Sequence, residues 1–177
     1  MSHIAGVDVS TTAVDIVLLD EDTRTPTWTH CPLQPALQNG SRDDLRPARS
    51  AKNAIPGRSW WEHHGVTQIA VEDPFSNRLD TAKKLGRVVG AAACCLPPDT
   101  TVLLITPVEM RQWLSIEGRM TKEQLRGYAA EHGAPVEEWN RDAELWGLKT
   151  IQDALDAYVV ALAALARIER ELRRTAT

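Results

Sequence analysis

Branched apolar residues dominate the first third of this chain in short runs, and helical spacing of apolar residues takes over further on. His3-Ile-Ala-Gly-Val-Asp-Val-Ser10 and Ala13-Val-Asp-Ile-Val-Leu-Leu-Asp20, joined by Thr11-Thr12, predict two adjacent antiparallel strands. A weaker alternation over 25–31 predicts a third strand, and the Pro, Gln, Asn and Gly of 32–41 predict a loop. Residues 43–64 hold helix interrupted by Pro47 and Pro56. Residues 66–72 form a strand, and Pro74-Phe-Ser-Asn leads into a helix over 77–95 that Pro97-Pro98 stops. A buried strand follows at 101–105. Thr106-Pro107 then caps and opens a helix to about residue 114. Thr121-Lys-Glu-Gln124 fits a capping box for a helix to about residue 132. Residues 133–147 read as a long connection carrying Trp139 and Trp146, and a last helix runs over 150–174. Strands first, then alternating helices and strands, predict an α/β sheet covered by helices on both faces.

Four carboxylates stand where these apolar elements end. Asp8 lies on the first strand, on the side shared with Gly6 and Ser10 and opposite Val7 and Val9. Glu72 closes the strand Thr67-Gln-Ile-Ala-Val-Glu72 just before a turn, a common place for chemistry in open α/β sheets and also for plain loop charge. Asp153 and Asp156 are three apart and share a helix face. An exposed acidic first turn, favoured by the helix dipole, is the other reading of that pair. The stretch that follows, Ala157-Tyr-Val-Val-Ala-Leu-Ala-Ala-Leu165, is apolar on every side, which puts the pair at the mouth of the core. An unpaired ionised carboxylate beside a core is costly, so it is neutralised, paired or bound to a cation. Four converging acids favour a divalent metal and point to phosphoryl transfer.

Composition narrows the picture further. A chain of 177 residues supports one compact domain, 1–177, with a real core, and no repeat or second domain is visible. The formal charge of −4 counts against a nucleic-acid partner, although the 20 Lys and Arg include a local basic stretch over 111–126. Cys31, Cys94 and Cys95 are odd in number and make no disulfide framework, which indicates a reducing, cytoplasmic compartment. The adjacent His63 and His64 would not share a helix face, so a zinc site is not expected. No signal segment and no membrane span is expected.

Taken together, these motifs resemble those of the RuvC-type Holliday-junction resolvases of the ribonuclease H-like superfamily, with this chain as a divergent or viral member. Gly6-Val7-Asp8-Val9-Ser10 resembles the family's first-strand motif, Ala70-Val-Glu72 its glutamate segment and Asp153-Ala-Leu-Asp156-Ala its closing helix motif. Phe75-Ser-Asn and the helix after it resemble the junction-contacting and dimerising segment. Thr106-Pro-Val-Glu-Met-Arg111 and Gly118-Arg-Met-Thr-Lys122 resemble stretches whose basic residues approach the scissile phosphate. The resemblance implies a mixed five-stranded ribonuclease H-like sheet. It implies two Mg²⁺ ions (Mn²⁺ substituting) held by Asp8, Glu72, Asp153 and Asp156, with Lys122 as a further catalytic group. It also implies DNA contacts from Phe75, Arg78, Arg111, Arg119 and Lys122, and a homodimer through the helix at 77–95 acting on four-way junctions. Arg78, Lys83, Lys84, Arg87, Arg111, Arg119 and Arg126 are candidates for phosphate contacts.

Four features depart from the family pattern: an arginine at 111 where lysine is usual, the low overall basicity, the two interrupting prolines and the long 133–150 segment. Three other readings remain at this point. One is another ribonuclease H-like nuclease acting on RNA–DNA hybrids or branched and flap DNA. Another is a non-catalytic junction-binding protein. The third is an actin-like or sugar-kinase ATPase fragment, whose first phosphate loop Gly6-Val-Asp-Val-Ser-Thr-Thr12 resembles.

Overall fold

The computed structural model describes residues 2–10, 12–33, 46–72 and 79–176, the side chains at 46–47 and 79–85 excepted. Five strands make one sheet: β1 (His3–Val9), β2 (Ala13–Asp20), β3 (Pro26–Pro32), β4 (Val66–Glu72) and β5 (Thr101–Ile105). Their spatial order is β3-β2-β1-β4-β5. β1, β2 and β3 pair antiparallel, whereas β1–β4 and β4–β5 are parallel. The expected antiparallel start and mixed five-stranded sheet are both present.

The β1–β2 turn is tight because Ser10 closes it. The Ser10 amide donates to the Ala13 carbonyl at 3.0 Å, and Ser10 Oγ accepts from the Thr12 and Ala13 amides. That turn pairs His3 with Asp20 and, further along, Asp8 with Asp15.

Alternation along the strands divides the core into two layers. On one face Ile4, Val17, Leu19, Trp28, Ala70 and Ile105 lie under the long helix α7 (Gln152–Thr175), flanked by α4 (Pro107–Trp113) and α5 (Lys122–Glu131). On the other face Val7, Ile16, Ile69 and Val71 pack beside Ile55, Trp61 and Val88. The last three come from the segment around α1 (Arg46–Ala54), from α2 (Arg58–His63) and from α3 (Leu79–Ala93). Every residue from Ala157 to Leu165 is buried, as a helix apolar on all sides requires.

Both predicted capping boxes form. Thr106 and Glu109 exchange side-chain and backbone bonds at the start of α4, and Thr121 and Gln124 do so at the start of α5. The expectation of a long connection over 133–147 is corrected: Val136–Leu145 is a helix, α6. Its apolar positions Val136, Trp139 and Ala143 are three and four apart, a helical stripe, and all three are buried. Trp139 packs on Trp28 with centroids 5.9 Å apart and edge-on to Tyr158, also at 5.9 Å. Among the described residues no helix is long and apolar enough to cross a membrane.

Candidate metal centre

Asp8 points from β1 toward α7 because it shares a strand face with Ile4 and Gly6. Gly6 is what lets α7 come down onto that face. With α7 so close, Asp153 and Asp156 from its first two turns meet Asp8, and one carboxylate oxygen from each residue lies within 4.8 Å of the others. All three are half-buried. Thr150 opens the helix by accepting from the Gln152 amide, and Gln152 Nε2 donates to Asp156 Oδ1 at 3.1 Å, which orients that carboxylate.

Glu72 ends β4, the parallel neighbour of β1, on the Ala70 face that carries Asp8. It is not one of the three residues that converge within 4.8 Å, but its charge acts on Asp8. Lys122, at the start of α5, lies close enough to Asp156 to favour its ionised form.

The electrostatics are those of a site short of positive charge. Burial, and then the charges of Asp156, Asp153, Glu72 and Asp15, push Asp8 up to about 8. Burial also raises Asp156, to about 6, against the Gln152 hydrogen bond and Lys122. Hard carboxylate oxygens at this spacing suit a hard divalent cation such as Mg²⁺ or Mn²⁺, which would remove the repulsion. The residues present therefore fit the implied metal.

Of the other sequence candidates, Arg111 is half-buried in the last turn of α4 and Arg119 is exposed in the loop before α5. Arg126 stands 3.9 Å from Glu137. Phe75 and Arg78 lie outside the described residues, and so do the side chains of Lys83 and Lys84.

A second polar group beside the cluster was missed in the sequence. Asp15 on β2 stands directly opposite Asp8, and His30 on β3 stands opposite Asp15. Asp15 is only 2% exposed and is bonded by Trp28 and His30. Burial raises its pKa against those two bonds. A signal was present: once the strands fold about Thr11-Thr12, residues summing to 23 face each other, and 8 pairs with 15.

Two solved structures share this architecture across nearly the whole chain. Thermus thermophilus RuvC in complex with a Holliday junction substrate aligns with a TM-score of 0.62 and 15% identity, over 96% of each chain. A second T. thermophilus RuvC structure aligns with a TM-score of 0.52 and 19% identity, over 94% of this chain and 96% of that one. No protein-family model matches the chain, and no curated protein does. The chain thus has a ribonuclease H-like fold. Within that fold its arrangement is similar to that of RuvC, as the sequence motifs led one to expect.

Proposed function

We propose that this protein is a divalent-metal-dependent endonuclease that resolves four-way DNA junctions. The observation that carries the reading is the convergence of Asp8, Asp153 and Asp156 within 4.8 Å at the C-terminal end of the central strand β1, in a fold similar to that of a protein solved with a Holliday junction. Asp8, Asp153 and Asp156 would hold the metal, with Glu72 as a further ligand; Mg²⁺ there would activate water and stabilise charge on the phosphate. The chain's own part is to fix the carboxylates. Gly6 sets the approach of α7, and Gln152 orients Asp156. Lys122 adds positive charge on the Asp156 side, where a scissile phosphate would need it.

A homodimer producing paired symmetric nicks belongs to the same reading. Its support is a surface rich in small and apolar groups on the α3 side of the molecule. Gly86, Gly90 and Ala93 are exposed on α3, and Val102 and Leu104 on the edge strand β5 are 40% and 52% exposed. Two-fold symmetry would match the symmetry of a four-way junction.

The test is cleavage of an end-labelled four-way junction beside matched linear duplex and RNA–DNA hybrid, with and without Mg²⁺. Paired nicks in the junction alone are expected. Cutting of the hybrid instead would move the protein to another ribonuclease H-like activity. Tight junction binding without cutting of any substrate would make it a structural binder.

A further inference from the structure

The first turn of α7 carries Gln152 and Asp153, yet its own contacts hold it weakly. Its N-cap position is Ile151, which offers no side-chain hydrogen bond. The first N–H groups of a helix have no partner inside it. Here the Thr150 hydroxyl takes the Gln152 amide at 3.1 Å. Lys149 and Thr150, just before the turn, are exposed. When ionised, the carboxylates of Asp8 and Asp156, which converge with Asp153 within 4.8 Å, push against it.

Support comes instead from the end of α6. Gly147, at φ +70, ends that helix, and the Gly147 and Leu148 amides bond back to the Glu144 and Ala143 carbonyls. The start of the connection is thereby tied to α6. Trp146 in turn ties the end of α6 to β3. It packs edge-on to Trp28 with centroids 4.8 Å apart and lies nearly parallel to His30 at 6.2 Å. Aromatic pairs at such separations attract beyond the apolar area that they bury. Trp28 and His30 are two apart on β3, so they present one face of the strand. Both are fixed from below: Asp15 Oδ1 accepts the Trp28 indole N–H at 2.8 Å and lies 2.9 Å from His30 Nδ1. Trp28 is 7% exposed and belongs to the core, whereas Trp146 is 46% exposed and reaches that core from the surface.

We propose that Trp146 is a positioning residue for the metal centre: by clamping the end of α6 to the Trp28–His30 platform, it holds the first turn of α7 against the repulsion of the other carboxylates. The inference rests on the metal-centre reading above and deepens it. In this role Trp146 touches neither metal nor phosphate. It acts through Asp153 and through Gln152, which orients Asp156. Asp8 needs no such support, because its strand is paired on both sides.

The test is Trp146→Ala, which removes the clamp while Trp139 stays packed on Trp28. Hydrogen exchange at the Gln152 and Asp153 amides should quicken by tenfold or more. Exchange at Val160 and Ala161, in the buried middle of α7, should not change. Mn²⁺ affinity measured by calorimetry should fall fivefold or more, and kcat on a four-way junction should fall at unchanged KM for DNA. Trp146→Phe keeps a ring on the platform and should recover most of the affinity. Leu145→Ala is the control: Leu145 is 83% exposed, and its truncation should move none of these readings. Mn²⁺ affinity within twofold of wild type in Trp146→Ala, or an equal loss in Leu145→Ala, overturns the proposal. So does a defect confined to DNA affinity in EDTA, which would make Trp146 a DNA contact instead.

Should wild-type protein bind Mn²⁺ but cut no DNA, the nuclease reading fails separately and calorimetry decides the role of Trp146. Should it bind no Mn²⁺, the metal reading fails, and hydrogen exchange decides whether Trp146 holds the turn. Unchanged exchange at Gln152 and Asp153 overturns the clamp in either case.

Discussion

Gly6 on β1 lies directly against Ala157 on α7: a Cβ at residue 6 would stand 1.9 Å from the Ala157 carbonyl oxygen. It would also stand 2.7 Å from the Ala161 amide nitrogen and 2.9 Å from the Ala161 Cβ. Backbone atoms cannot swing away as the end of a flexible side chain can, so the helix itself would have to lift. The same close approach brings Asp153 and Asp156 to Asp8, two residues beyond Gly6 on the strand. The packing of the core and the geometry of the cluster therefore depend on one missing methyl group.

Gly6→Ala is accordingly expected to cost both stability and metal affinity. Overpacking of a tight core costs about 1–3 kcal/mol, occasionally more, and a clash with backbone belongs at the upper end. Urea denaturation should show the loss, and calorimetry with Mn²⁺ should show weaker binding in whatever fraction folds. A variant within 0.5 kcal/mol of wild type (about the scatter of neutral surface changes) would mean that α7 does not sit this close.

The cluster also predicts how stability depends on pH without metal. Asp8 is raised from 3.8 to about 8 and Asp156 to about 6, so between those limits the folded chain holds more protons than the unfolded one. Stability contributed by the protonated acids is full below about pH 4 and is lost as pH rises towards 8. Asp20 and Glu109, whose pKa values are lowered, act in the opposite sense, but only at or below 4.5. Metal-free protein should thus melt lower at pH 8 than at pH 5.5, by about 2–4 °C for each kcal/mol lost in a chain of this size. Mg²⁺ should raise the melting temperature more at pH 8 than at pH 5.5, because it binds the ionised form. Asp8→Asn should flatten the pH dependence. A melting temperature that rises from pH 5.5 to 8 without metal would contradict the electrostatics of the site.

Most of the framework was legible because strands and helices advertise themselves by period. Branched runs marked β1, β2, β4 and β5, and the two capping boxes placed the starts of α4 and α5. The acids of α7 were legible because Asp153 and Asp156 share a face just before an uninterrupted apolar stretch. Two things escaped. Helix α6 was read as connection because Gly133, Pro135 and Gly147 bracket a mostly polar segment, and its stripe of Val136, Trp139 and Ala143 is short. The Asp15–His30–Trp28 group escaped for a different reason. Each residue is unremarkable in its own strand, and only the pairing of β2 with β3 brings them together. That pairing follows from the turn between Asp20 and Thr25, whose register is a tertiary fact rather than a periodic one.

Asp8→Asn provides a second test of the site. The substitution is nearly isosteric, so the strand and the Gly6 contact should persist, while one charged ligand of the cluster is removed. Metal-dependent cutting should fall by a factor of about 10³ or more, since charge stabilisation by a bound metal accounts for several kcal/mol of the barrier. Junction affinity measured in EDTA should be unchanged or slightly higher, because a negative charge facing the phosphates has gone. Gel-shift and cleavage assays on the same junction separate the two effects. Normal cutting by this variant would remove Asp8 from the centre.

Lys122 makes the sharpest distinction between a positioned charge and a solvated one. It is exposed in the first turn of α5, where a cation opposes the helix dipole, so stability alone does not favour it there. It lies close enough to Asp156 for its charge to favour the ionised carboxylate. If it acts on the phosphate during cleavage, Lys122→Ala should lower kcat by about 10²-fold, the size of effect seen when one group stabilising developing charge is removed. The melting temperature should stay level or rise slightly, and the Mg²⁺-induced thermal shift should persist. Lys122→Arg should recover part of the rate. A loss confined to KM, reversed by lowering the salt concentration, would instead make Lys122 one of several general phosphate contacts.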